Sequence, residues 1–165
     1  MSTESKPSDR ADQSVISSAS ASTEHARHPV GLLLITHQEL GDALLHTATS
    51  MLGQAPEACV AIACSQRDDP DEVLTIARAT ANQLDQGEGV LILTDIYGST
   101  PANIALRVAT APQTRVVAGV NLPMLIRILN YRRLPLSELI TKAVSGGHDG
   151  ILLCGERSED DAIQH

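Results

Sequence analysis

The fold is decided by the segment 89–101, which reads GVLILTDIYGSTP. Its first half is an almost unbroken apolar run that ends at Asp95, and turn-forming residues follow up to Pro101. A short apolar run bounded by turn residues is typical of a strand buried on both faces of a parallel sheet. Because ligands bind at the carboxyl ends of such strands, Asp95 is a candidate site residue.

The segment 30–37, VGLLLITH, has the same form and ends in His37. Two more apolar runs follow, and amphipathic segments with helical spacing separate the four runs from one another. The sequence predicts strands at 30–36, 58–64, 89–95 and 115–120, and helices that begin near residues 39, 70, 101, 122 and 135.

Several element ends can also be predicted. Thr100 is expected to be the N-cap of the third helix, ahead of Pro101. The last helix is expected to run from about Pro135 to Val144 and to stop at Gly146-Gly147, with His148 in the turn that follows, and the run Gly150–Leu153 predicts a fifth strand. The first helix has one apolar face, formed by Leu40, Leu44, Leu45, Ala48, Met51 and Leu52.

Repeated strand–helix units with short connections predict an α/β fold: a doubly wound, mainly parallel four-stranded sheet in the order 2-1-3-4, with helices on both faces and a short fifth edge strand. The length of 165 residues fits one domain. We expect this domain to span 29–154, between a disordered polar tail at 1–28 and an acidic tail at 155–165.

Composition excludes several classes of function. The chain has no Phe or Trp and only two tyrosines, Tyr97 and Tyr131, which argues against an aromatic platform for single-stranded nucleic acid. Its net charge of -8 argues against a nucleic-acid partner or an anionic membrane surface. No apolar stretch is long enough to span a bilayer, and the cysteines lack metal-site spacing. We expect a cytoplasmic protein without direct membrane insertion.

The two strand ends carry the candidate chemistry. In the order 2-1-3-4, the strands that end in His37 and Asp95 are neighbours and the switch point lies between them. Helix N-termini at this edge favour an anion, Gly98 permits close approach of the backbone, and Ser99 and Thr100 offer hydroxyl donors. An imidazole, an orienting carboxylate and a phosphate-sized cradle predict transfer of a phosphoryl group on and off histidine.

Other interpretations of the same residues are open. A lone His at a strand end is often structural, Asp95 could be a turn residue, and Ser99 and Thr100 could simply begin a helix. A receiver-like signalling module needs an acidic pair after the first strand, where this chain has Thr36-His37. A nucleotide-binding module lacks its glycine-rich loop, and a metal site lacks a further ligand, so no metal or cofactor is expected.

Three segments together resemble the IIA domain of the mannose family of the bacterial phosphoenolpyruvate-dependent sugar phosphotransferase system. They are Thr36-His37 after the first strand, the segment 89–101, and the segment 118–125, AGVNLPML. The resemblance covers about 30–153. It departs from the family at Gln38 and Ser99, where family members often carry glycine.

The resemblance implies that His37 accepts a phosphoryl group from the phosphocarrier protein HPr and passes it to a separate IIB component. Asp95 matches the carboxylate that orients the histidine, and Thr100 matches the hydroxyl residue of the phosphoryl-binding turn. A homodimer is also implied, in which the last strand, here Gly150–Leu153, packs on the partner's sheet. The alternatives are a regulatory IIA protein whose phosphorylation state controls a partner and the donor subunit of a dihydroxyacetone kinase.

Overall fold

A computed structural model describes residues 27–154 of the chain. Almost all of the two predicted tails, 1–28 and 155–165, lies outside the described residues. Four strands form one parallel sheet in the order β2-β1-β3-β4, which confirms the predicted order. The strands are β1 (Gly31–His37), β2 (Cys59–Cys64), β3 (Val90–Thr94) and β4 (Thr114–Ala118).

Five helices cover the two faces of this sheet, as the alternating pattern predicts. They are α1 (Leu40–Leu52), α2 (Pro70–Leu84), α3 (Thr100–Val108), α4 (Leu122–Tyr131) and α5 (Leu136–Asp149). Side chains of β1 alternate between two hydrophobic clusters: Leu33 and Ile35 join one with α2 and α3, whereas Leu32 and Leu34 join the other with α1, α4 and α5. This period of two, with both faces covered, explains why β1 is apolar on successive residues.

The predicted fifth strand is wrong for the described part of the chain. Gly150–Cys154 has no regular structure, and residues Ile151–Leu153 are between 74% and 82% exposed. A run of large apolar residues forms a strand only where a neighbouring edge can pair with it, and no described strand does so here.

The predicted end of α5 is also wrong. The helix continues through Gly146 and Gly147 to Asp149, so His148 lies in its last turn. A Cβ atom on Gly146 would lie 2.9 Å from the Cβ of Arg127, and one on Gly147 would lie 2.7 Å from the Cε of Met124. The two glycines therefore allow α5 to approach α4, and they do not stop the helix.

Two smaller predictions need correction. The N-cap of α3 is Ser99 and not Thr100, because the Ser99 Oγ accepts the N–H of Ala102 and Thr100 is already helical. On α1, Leu40 and Met51 are exposed although they share the predicted apolar face. The helix approaches the sheet with small residues, Gly41 and Ala48, which are buried.

Arg132, at the end of α4, is a buried cation that the sequence pattern does not single out. Its guanidinium donates hydrogen bonds to the carbonyl oxygens of Val30, Glu57 and Ala58. These contacts join α4 to the amino ends of β1 and β2. Burial lowers the pKa of Arg132, and burial raises the pKa of the neighbouring Cys59 thiol to about 11.

Candidate active site

The candidate site begins where the main chains of β1 and β3 separate. β1 pairs with β2 as far as His37 opposite Cys64, but it pairs with β3 only as far as Leu34 opposite Leu93. A crevice therefore opens between the carboxyl ends of β1 and β3, which is the switch point of this sheet. His37 is the last residue of β1, and Asp95 follows the last residue of β3.

The carboxylate of Asp95 bridges this crevice. Its Oδ2 accepts the main-chain N–H of His37 at 3.0 Å and lies 2.8 Å from the ring Nδ1 of the same residue. Its Oδ1 accepts the N–H of Ile96 at 2.9 Å and a longer hydrogen bond of 3.4 Å from the Thr94 hydroxyl. The predicted pair thus lies in direct contact, although 58 positions separate the two residues.

The electrostatics keep Asp95 ionised near neutral pH. Burial raises the pKa of this carboxyl, but the hydrogen bonds from the His37 main chain, the His37 ring and the Ile96 main chain outweigh it, and the pKa lies below the ordinary value. An ionised carboxylate only accepts hydrogen bonds, so the Nδ1 of His37 must carry the proton. In the neutral imidazole, a proton on Nδ1 leaves the other ring nitrogen, Nε2, with a free lone pair.

The ring of His37 faces outward from the crevice. Its side chain is 44% exposed, whereas that of Asp95 is only 8% exposed. Among residues 27–154, no hydrogen bond to Nε2 is present. The arrangement presents a fixed imidazole with one anchored and one accessible nitrogen.

The turn between β3 and α3 supplies the candidate cradle. The Ser99 hydroxyl donates to the carbonyl of Ile96 at 2.7 Å and caps α3, so it is occupied within the turn. The Thr100 side chain is exposed, and Gly98 has a φ of +80°, which only glycine adopts at little cost. Within the described residues, the N–H groups of Gly98 and Thr100 have no hydrogen-bond partner. Gly98 and Thr100 therefore remain available to an anion.

Two backbone features that sequence reasoning missed shape the crevice. Gln38 has a φ of +49°, in the left-handed region, and its N–H donates to the Cys64 carbonyl at 3.1 Å. Glycine would adopt this conformation more readily than glutamine does. On the other side, the Gly119 N–H donates to the carbonyls of Thr94 and Asp95 at 2.9 and 3.1 Å.

Cys64 lies beside His37 but is not a competing nucleophile. The side chain is buried, and burial, with smaller contributions from Asp68 and Asp95, raises the pKa of its thiol to about 11. The thiol therefore stays protonated near neutral pH. Residues 27–154 contain no group of three His, Cys, Asp or Glu side chains arranged to hold a metal ion.

Comparison with known proteins identifies the family of this chain. A family profile described as the PTS system fructose IIA component, EIIA-man, matches residues 31–144. The mannose-specific EIIAB component of Escherichia coli K12 is 32% identical over 125 residues, which are 74% of this chain and 38% of that protein. The fructose-specific EIIA component of Bacillus subtilis is 36% identical over 72 residues, 42% of this chain and 49% of that one.

A solved structure shows the same fold. The mannose/sorbose-specific IIA subunit from Enterococcus faecalis superposes with a TM-score of 0.70 and 23% identity, and the match covers 79% of this chain and 98% of that one. The chain belongs to the EIIA-man family, the mannose-type IIA phosphotransfer components of the sugar phosphotransferase system. It spans 38% of the length of the E. coli relative. Across the residues that the structure describes, none of the helices is long and apolar enough to cross a membrane.

Proposed function

We propose that this protein carries a phosphoryl group on Nε2 of His37, which it accepts from HPr and passes to a separate IIB component during sugar uptake. The observation that carries the proposal is the hydrogen bond of 2.8 Å between Nδ1 of His37 and Oδ2 of Asp95. This bond fixes the Nδ1–H tautomer and leaves Nε2 as the nucleophile.

In the first transfer, the Nε2 lone pair attacks the phosphorus of the phosphohistidine on HPr. A new N–P bond forms, the donor N–P bond breaks, and its electron pair stays on the donor imidazole. A donor ring that carries a proton on its other nitrogen leaves as neutral imidazole, and His37 keeps its Nδ1 proton. The positive charge that His37 acquires is stabilised by the ionised Asp95. In the transfer to IIB, His37 becomes the donor. A nucleophile of IIB attacks the phosphorus, the Nε2–P bond breaks, and its electron pair returns to Nε2, which leaves His37 neutral with its Nδ1 proton.

The turn after β3 supports the phosphoryl group in this proposal. The hydroxyl of Thr100 and the free N–H groups of Gly98 and Thr100 donate to the equatorial oxygens, and the N-terminus of α3 adds its dipole. Ser99 contributes by holding the turn, because its own hydroxyl is engaged with Ile96 and Ala102. Such a reaction depends on positioning and charge and needs no further chemical group from the protein.

Two further parts of the proposal concern assembly and location. The exposed apolar run Ile151–Leu153 is suited to pairing with the sheet of a second copy, as in the homodimers that the sequence resemblance implies. The carrier would work in the cytoplasm, where phosphorylated HPr is available.

The test is phosphorylation of the purified protein with phosphoenolpyruvate, enzyme I and HPr. We expect an acid-labile, base-stable phosphate that maps to His37 and is absent from His37→Ala, and ¹⁵N–³¹P coupling that places it on Nε2. Equal labelling of the His37→Ala variant contradicts the assignment. Labelling without onward transfer to any IIB component would favour the regulatory alternative.

A further inference from the structure

We propose that Thr36 is a positioning residue for His37, acting through a buried hydrogen bond that ties the start of α1 to the end of β1. The inference rests on the proposed phosphoryl transfer by His37 and adds a residue to it. Thr36 directly precedes His37, and it is fully buried although it is polar. A buried hydroxyl is retained only where its hydrogen bonding is satisfied.

The hydroxyl of Thr36 serves as the missing cap of α1. Its Oγ1 accepts the N–H of Gly41 at 2.8 Å. Glu39, at the N-cap position of α1, makes no side-chain capping bond, so the first turn of the helix depends on Thr36 for this N–H. A strand residue thus caps the helix that follows it.

Close packing keeps this bond short. A Cβ atom on Gly41 would lie 3.1 Å from the Thr36 Oγ1 and 3.2 Å from the Cβ atoms of Leu34 and Ala61. A larger residue at this position would push these neighbours apart by a few tenths of an ångström, so glycine lets the first turn of α1 rest closely on β1 and β2.

The hydrogen bond between Thr36 and Gly41 fixes the short loop that carries the imidazole ring of His37. Between the two bonded residues lie His37, Gln38, Glu39 and Leu40. Gln38 is held at a φ of +49° with its N–H donating to the Cys64 carbonyl. Without the Thr36 hydroxyl, the buried N–H of Gly41 loses its partner and Gln38 can relax to the right-handed conformations that non-glycine residues prefer. This relaxation moves His37 away from Oδ2 of Asp95. Thr36 therefore acts on the reaction through the His37–Asp95 geometry.

The test compares Thr36→Val, which keeps the shape and removes the hydroxyl, with Thr36→Ser, which keeps the hydroxyl. Thr114→Val is the matched control. Thr114 is also buried, but it lies at the amino end of β4, whereas Thr36 lies near the carboxyl end of β1. For transfer from phosphorylated HPr, we expect Thr36→Val to lower kcat about tenfold with KM unchanged, since displaced reacting groups lose rate steeply. Thr36→Ser and Thr114→Val should stay within about twofold of the wild-type rate.

A second readout does not depend on transfer. In ¹⁵N–¹H spectra, the wild-type His37 ring should show the Nδ1–H tautomer, and Thr36→Val should show a mixture of both tautomers. If Thr36→Val does not fold, Gly41→Ala weakens the same bond with the hydroxyl present, and the same change in the ring is expected. Wild-type kcat and a wild-type ring spectrum in a Thr36→Val protein, or in Gly41→Ala if that variant must be used, overturn the inference. A wild-type protein that is not phosphorylated contradicts the proposed function instead, and the ring spectra still decide the role of Thr36.

Discussion

Asp95 and His37 are joined twice, because the single oxygen Oδ2 accepts both the main-chain N–H and the ring Nδ1–H of the histidine. The first bond takes the place of main-chain pairing between β1 and β3, which stops at Leu34 opposite Leu93. The second sets the orientation and tautomer of the ring. One carboxylate therefore positions both the backbone and the side chain of the proposed nucleophile.

Replacement of Asp95 by Ala should lower the rate of phosphoryl transfer about a hundredfold, because neither the tautomer nor the charge on the phosphorylated ring is then controlled. Rapid-quench measurement of labelling from phosphorylated HPr checks this rate. The Asp71→Ala variant is the control, since Asp71 forms an exposed ion pair with Arg107 and should transfer at the wild-type rate. A wild-type rate of phosphoryl transfer in Asp95→Ala would contradict the orienting role proposed for the carboxylate.

Asp95 should also make stability depend on pH in the acid range. Its pKa is lower in the folded protein than the ordinary value of about 3.9, so the folded state binds fewer protons than the unfolded state. The stabilising contribution is complete above about pH 4 and is lost as the pH falls through the lowered value. Denaturant titrations between about pH 6 and pH 3 should show the difference in unfolding free energy between wild type and Asp95→Asn shrinking as the pH falls. An Asp71→Asn protein retains Asp95, so its free energy of unfolding should fall with pH as that of the wild type does.

Gln38→Gly should stabilise the fold or leave its stability unchanged, and it should preserve phosphoryl transfer. Relief of left-handed strain is worth about 1 kcal/mol, and the extra freedom of glycine in the unfolded chain offsets much of it. Ala58→Gly is the matched variant, because Ala58 has a φ of +44° away from the site. Chemical denaturation measures both. Gln38→Val, by contrast, should be destabilised, since a β-branched residue resists this conformation.

Gly146→Ala should destabilise the protein by about 1–3 kcal/mol, even though alanine favours helices, because its Cβ would meet the Cβ of Arg127 at 2.9 Å. Urea denaturation of this variant can be compared with Ser137→Ala, an exposed substitution on the same helix that should change stability by less than about 0.5 kcal/mol. Equal stability of the two variants would show that α4 and α5 can separate without cost.

Arg132→Met should lower the free energy of unfolding by about 3 kcal/mol, since the carbonyls of Val30, Glu57 and Ala58 lose their donors while the apolar stem is kept. The neighbouring Arg133 is exposed, and Arg133→Met should change stability by less than about 0.5 kcal/mol. Thermal and denaturant unfolding of the pair provides the comparison. Phosphoryl transfer by folded Arg132→Met should match the wild type, because Arg132 lies at the amino ends of the strands and His37 lies at the carboxyl end of β1.

The sequence predicted the sheet order and the contact between His37 and Asp95 because local patterns determine both. Apolar runs of strand length alternate with helical periodicity, and right-handed crossovers leave few ways to order parallel strands. Once β1 and β3 are neighbours, residues at their carboxyl ends must lie near each other. Which hydroxyl caps α3 was not predictable, since Ser99 and Thr100 differ by one position and only the backbone angles decide.

Features that depend on tertiary contact escaped prediction. In the sequence, Gly146 and Gly147 resemble a helix stop. Their packing role is visible only in the structure, where α4 lies against them. Arg132 resembles a surface cation at a helix end, and nothing in its neighbours in sequence indicates the three carbonyls that surround it. In the sequence, Thr36 resembles an ordinary residue near the end of a buried strand. Its role as a cap is not visible there, because its hydrogen-bond partner Gly41 lies in the next helix.

The outward position of the His37 ring has a consequence for recognition. Cavities of about 330 and 380 Å³ lie elsewhere on the described chain, lined in part by Arg132 and by Arg115, and His37 borders neither. His37 instead lies at an open rim of the structure, so in the proposed transfer the partner protein would have to supply the other side of the reaction site. Selectivity would then reside in how two protein surfaces fit around one nitrogen atom. Under this proposal, no residue of this chain needs to contact the sugar or determine which sugar is taken up.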